Sequence, residues 1–169
     1  MRRSTAILAA ALLLPAGFAI AAETLTGRAS VIDGDTIEIS GERIRLLGVD
    51  APESWQTCED GDGGIYRCGG KEAAFALERF LSVSRPTRCR LIERDRYERF
   101  VATCFRADGR GVNRWLVESG NAVDWRKYSG GEYADVQRVA RSKGTGIWRG
   151  KFQLPCEARA EHAGREASC

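Results

Sequence analysis

The run from Cys89 to Cys104, CRLIERDRYERFVATC, constrains the fold of this chain more than any other segment. Two strand-like runs flank Asp95 to Glu98, and a four-residue turn there folds them into a hairpin with Cys89 directly opposite Cys104. Opposed cysteines on neighbouring strands lie close enough to bond, so a disulfide pins the strand register. With Cys58, Cys68, Cys156 and Cys169 the cysteine count is six, and an even count in an exported chain implies a disulfide framework. Cys58 and Cys68 bracket a short loop and are expected to pair, which leaves Cys156 with Cys169 by elimination. A C-x-x-C metal knuckle is absent from the sequence.

Export itself is read from residues 1–21, MRRSTAILAAALLLPAGFAIA, which join two arginines, an apolar run from Ala6 to Leu14 and a small-x-small site at Ala19 to Ala21. This is the pattern of a secretory signal, too short for a membrane span. No later stretch approaches about 18 consecutive apolar residues, so the expected product is soluble, periplasmic or extracellular, and a monomer without a protein partner. The 169 residues suit one domain. It is expected over 22–155, followed by a polar tail over 156–169.

Apart from Arg2 and Arg3, 24 basic residues face 23 acidic ones, which excludes a uniformly basic nucleic-acid coat. The distribution is uneven. Residues 33–60 hold eight carboxylates against two arginines, whereas residues 85–114 hold nine arginines against four carboxylates. An acidic centre beside a basic surface suggests a metal site next to a phosphate site, although solvated charge on strands and loops gives the same composition. The single histidine, His162, lies in the polar tail. A Ser-His-Asp triad, a His-ligated zinc site and a histidine nucleophile are thereby disfavoured, and acid-base chemistry falls to carboxylates, arginines or a metal-bound water.

Along the chain, LTGRASVI and TIEIS are short β-branched runs joined by Asp33-Gly34-Asp35, and Ser40-Gly41-Glu42 turns back into RIRLLGV, a three-stranded meander. A Gly-rich loop over 54–70 follows. Lys71 to Val83 carries Ala73, Leu77, Phe80 and Leu81 at helical spacing, Val112 to Ser119 reads as a helix stopped by Gly120, and Glu132 to Ser142 as a third. Five short strands and three helices without β-α-β alternation predict an α+β fold with the sheet closed as a small barrel.

Three segments carry chemistry. Asp33 and Asp35 expose carboxylates on a tight turn, though Asp-Gly turns are common, and as an EF-hand start the turn fails because Ile37 and Glu38 stand where a ligand and a glycine are needed. In Arg45-Leu46-Leu47-Gly48-Val49-Asp50-Ala51-Pro52-Glu53, Gly48 permits a bend and Pro52 holds Glu53 just after Asp50, so an arginine and two carboxylates can converge at a strand end. Asp35 and Asp50 would then offer oxygens to a hard cation such as Ca2+. Asp95-Arg96-Tyr97-Glu98-Arg99 is a charged turn. Together these segments hold a carboxylate for water, arginines for phosphoryl charge and a cation site, as phosphodiester hydrolysis requires.

The ordered motifs VIDGDTIEI, IRLLGVDAPE and DRYERFVA resemble the thermonuclease (staphylococcal nuclease-like) family over Leu25 to Trp148. The resemblance implies an OB-type five-stranded barrel with three helices and a calcium-dependent nuclease acting on DNA and RNA. It implies Asp35 and Asp50 as calcium ligands, with the backbone carbonyl of Ala51, and Asp33 acting through water. Glu53 would activate or orient the attacking water, Arg45 and Arg99 would hold the reacting phosphate, and Arg96 and Tyr97 a neighbouring one. Tyr128 would match an aromatic of the base pocket. Glu98 stands where the family has glycine. Trp55 stacks on a base or lids the barrel. The rivals are a non-catalytic OB-type binding module of the cell envelope and a phosphodiesterase acting on a polymer other than nucleic acid.

Overall fold

The computed structural model describes residues 23–169, so the signal expected over 1–21 lies outside the described residues. The strands β1 (Thr24–Gly27), β2 (Ala29–Val31), β3 (Thr36–Ile39), β4 (Glu42–Leu46), β5 (Val49–Asp50), β6 (Thr57–Glu59) and β7 (Ile65–Arg67) precede helix α1 (Gly70–Ser82). After these come β8 (Thr87–Arg94), β9 (Phe100–Phe105), α2 (Val112–Glu118), β10 (Val123–Asp124), α3 (Arg126–Ser129), α4 (Ala134–Ser142), β11 (Lys151–Phe152) and α5 (Pro155–His162).

The main sheet runs β1-β8-β9-β4-β3-β2. Its two outer strands are separated in sequence by Arg28 alone, so they are one interrupted strand and the sheet curls on itself into the OB-type barrel. Counted this way the barrel has five strands, as expected. Ile37, Ile39, Ile44 and Leu46 fill it and meet Leu77 of α1 and Leu116 of α2 in one buried cluster. The meander β2-β3-β4 is present, with Thr36 paired to Arg45. Strand β4 also pairs β9 in parallel, which brings the turn before β9 alongside β3 and β4. Buried Asn113 fastens this region: its amide donates to the Leu47 and Ala102 carbonyls and its oxygen accepts the Cys104 N–H.

Cys89 bonds Cys104 at paired positions of β8 and β9, Cys58 bonds Cys68, and Cys156 bonds Cys169. The bridged pairs are 15, 10 and 13 residues apart in sequence. The loop-closure model assigns each on the order of 3 kcal/mol.

Two expectations are corrected. The stretch 54–70 is more than a loop, because β6 and β7 form a hairpin that β11 joins as a third strand. The stretch expected as a polar tail folds as α5, with Cys156, Ala158 and Ala160 buried. Alanines and a cysteine are small enough to pack closely, and β11 on β6 delivers the chain to the barrel end. The helix start was signalled by Pro155 at its first position and by Glu157, whose carboxylate accepts the Leu154 N–H at 3.2 Å.

Candidate active site

The Asp33-Gly34-Asp35 turn is closed by the Asp35 N–H donating to Asp33 Oδ1 at 3.0 Å. Asp35 Oδ2 accepts the Ala51 N–H at 2.9 Å and lies 2.5 Å from Arg45 Nη1. The other Arg45 nitrogen donates to Asp50 Oδ1 at 3.4 Å, so one guanidinium serves two buried aspartates. Gly48 makes this possible: at φ +71° it turns the chain sharply between β4 and β5, and a Cβ there would lie 2.7 Å from that of Ser129.

Glu53 sits on a rigid loop. Its N–H donates to Gln56 Oε1 at 3.3 Å, and its carbonyl accepts the N–H groups of Gln56 and Gly70. A Cβ on Gly69 would lie 2.3 Å from the Glu53 carbonyl oxygen, so only glycine lets the start of α1 approach this loop.

The residue that the sequence reading missed is Arg159 of α5. Its Nη1 and Nη2 lie 2.7 and 3.0 Å from the two oxygens of Asp50, and Nη1 also lies 2.9 Å from Glu53 Oε1. Trp125, likewise missed, stands beside both arginines, its ring centroid 5.8 Å from Arg45 and 5.1 Å from Arg159. The pairing of β10 with β5 brings it there.

The donor set is all oxygen and suits a hard cation. Among the described residues no group of three or more His, Cys, Asp or Glu could hold a metal, so Asp35 and Asp50 would need the Ala51 carbonyl and waters to complete a shell. Burial pushes the Asp35 carboxyl up to about 7, against the pull of Arg45, and Asp33 and Asp50 add to the rise. Burial also raises Asp50, despite Arg159 and Arg45.

The folded state therefore holds the Asp35 proton between about 3.8 and about 7, where the unfolded chain has lost it. This group's contribution to stability falls as pH rises through that window. Without divalent cations, the melting temperature of Asp35→Asn relative to the parent is expected to rise between pH 5 and pH 8. Parallel curves for the two proteins would contradict it.

Arg99 is aimed by Asp95, with Nε 2.8 Å and Nη2 2.7 Å from Asp95 Oδ2, while its Nη1 reaches Thr36 Oγ1 at 3.5 Å. Arg96 donates to the Tyr97 hydroxyl at 2.7 Å. Arg45, Arg96, Tyr97, Arg99, Trp125 and Tyr128 line one open cavity of about 590 Å³, to which Arg159 and Arg165 also contribute. Tyr128 meets Trp125 edge-on, with ring centroids 4.5 Å apart. Trp55 stacks on His162 at 4.6 Å.

Glu98 has φ +62°, a conformation that favours glycine. Glu98→Gly removes both the strain and a carboxylate between Tyr97 and Arg99 of the cavity lining. It is expected to lower KM for nucleic acid severalfold, with stability unchanged or up by about 1 kcal/mol. Steady-state kinetics and thermal melting check it.

The family model described as Staphylococcal nuclease homologue matches residues 43–150. The succinoglycan biosynthesis protein ExoI of Rhizobium meliloti (strain 1021) is 59% identical over 164 residues, covering 97% of this chain and 84% of that protein. An uncharacterized endonuclease of Escherichia coli O157:H7 is 30% identical over 130 residues, 74% of this chain and 77% of its own length. Endonuclease YhcR of Bacillus subtilis (strain 168) is 30% identical over 152 residues, 80% of this chain but 12% of the larger protein.

Proposed function

This chain belongs to the staphylococcal nuclease homologue family and is a nuclease, and we propose that it is an exported, calcium-dependent one, hydrolysing DNA and RNA with little sequence preference. The observation that carries this reading is the convergence of Asp35, Arg45, Asp50 and Glu53 at one barrel end, beside a cavity lined by Arg96, Tyr97 and Arg99.

Asp35, Asp50 and the Ala51 carbonyl would hold the calcium ion, with Asp33 acting through water. The bound ion would supply positive charge at a phosphoryl oxygen. Glu53 orients and deprotonates the water that attacks phosphorus. Arg45 and Arg99 take up the charge that grows on the phosphoryl oxygens, and the rigid loop and the Asp95 pair hold these groups in advance of reaction. Arg96 and Tyr97 bind a neighbouring phosphate, and Tyr128 with Trp125 gives bases an aromatic face.

Export is supported by three disulfides. Among the described residues no helix is long and apolar enough to cross a membrane.

A second reading, a phosphodiesterase acting on a polymer other than nucleic acid, takes its motive from the name of the 59% identical relative, which concerns the biosynthesis of such a polymer. Gels cast with DNA, RNA or a phosphodiester-linked polysaccharide separate the two. Clearing of the nucleic-acid gels supports the nuclease, whereas clearing of the polysaccharide gel alone puts the second reading in its place.

A further inference from the structure

We propose that Arg159 competes with the divalent cation for Asp50 and so sets the cation concentration at which the enzyme works. This rests on the calcium-dependent reading above. Asp50 is fully buried, and both of its oxygens are engaged by the two nitrogens of Arg159, at 2.7 and 3.0 Å. The same guanidinium holds Glu53 at 2.9 Å, so it bridges a ligand of the cation and the carboxylate that acts on water. A cation taking an Asp50 oxygen must share it with a guanidinium nitrogen or displace that nitrogen, and two positive charges on one carboxylate repel.

Repulsion points the same way: a dication seated on Asp50 would stand against the Arg159 guanidinium, which lies 2.7 Å from that carboxylate, and departure of Arg159 removes the repulsion. Both arginines border the substrate cavity, but the Arg45 side chain is 13% exposed and held between Asp35 and Asp50, whereas that of Arg159 is 28% exposed. Arg159 is therefore the guanidinium with room to leave, and the cavity offers it a polyanion.

The competition is built in. Helix α5 is seated by buried Cys156, Ala158 and Ala160, its His162 stacks on Trp55, and the Cys156–Cys169 bond clips the following loop to it. The helix stays docked while the side chain exchanges.

The test is calorimetric titration of the folded protein with Ca2+, without nucleic acid. Arg159→Gln is expected to bind Ca2+ about tenfold or more tightly than the parent, the scale of a charged hydrogen-bonded pair, and Arg159→Lys to fall between. Affinity of Arg159→Gln equal to or weaker than the parent's overturns the proposal. A second readout needs no stable Gln variant: the Arg159 Nε–H signal of the labelled parent, identified by its loss in Arg159→Lys, should move in step with Ca2+ binding. A signal unmoved at saturating Ca2+ also overturns it. Failure of both the parent and Arg159→Gln to bind Ca2+ overturns the proposal and the calcium reading together. A parent that binds Ca2+ and cuts DNA, with Arg159→Gln no tighter, sinks the competition alone.

Discussion

Glu53→Gln is expected to lower kcat by about 10²-fold or more while changing KM little. Glutamine keeps the shape of the side chain and the loop that carries it, since the loop is held by backbone bonds to Gln56 and Gly70 and by Gln56 Oε1. What it removes is the negative charge proposed to orient and deprotonate water. Arg159 loses an ionic partner at Glu53 but keeps both oxygens of Asp50, so the fold should persist. Steady-state cleavage of a short fluorescent oligonucleotide measures the effect. A variant as fast as its parent would remove Glu53 from the chemistry.

The second large effect separates arginines proposed to act in the transition state from those proposed only to bind. Arg99→Ala and Arg45→Lys should each lower kcat by about 10²- to 10³-fold, because their contacts strengthen as charge grows on the phosphoryl oxygens. Arg96→Ala should mainly raise KM, because a neighbouring phosphate has the same charge before and during reaction. Lysine is the informative change at position 45. Alanine there would leave Asp35 and Asp50 short of a buried partner, and breaking a buried pair costs about 3–5 kcal/mol, so lost activity would only report lost structure. At position 99 alanine is safe, since Arg99 is partly exposed and its ion-pair partner is Asp95 on the same turn. Equal kcat and KM changes in all three variants would contradict this division.

Much of the architecture was legible in the sequence because it is written in local patterns. The cysteines at either end of one hairpin fixed its register, and Cys89 and Cys104 are paired positions of β8 and β9. Apolar spacing in Lys71 to Val83 marks the face of α1 that buries Ala73, Leu77, Phe80 and Leu81. Helix α4 begins at Ala134 rather than Glu132, with Tyr133 as its non-helical N-cap after a turn in which Gly130 and Gly131 take positive φ.

What was not legible depends on contacts between distant segments. Arg159 meets Asp50 and Glu53 across 109 and 106 residues, and nothing in the spacing of CEARAEH foretells which neighbour an arginine will face. Composition also misled, since a stretch rich in charge buries itself through Cys156 and two alanines. The interruption at Arg28 is invisible for a related reason: LTGRASVI is one β-branched run, and only closure of the barrel divides it between β8 and β3. Trp125 is placed by the two-residue pairing of β10 with β5, too short to leave a pattern.

The central claim is that this barrel end cuts phosphodiester bonds with a calcium ion. The most direct measurement is cleavage of one fluorescent oligonucleotide, as DNA and as RNA, by the purified chain in Ca2+ and again in excess EGTA. The account predicts cutting of both substrates in Ca2+ and none in EGTA. Tight binding without cutting in Ca2+ would make the chain a binding module, and undiminished cutting in EGTA would remove calcium from the mechanism.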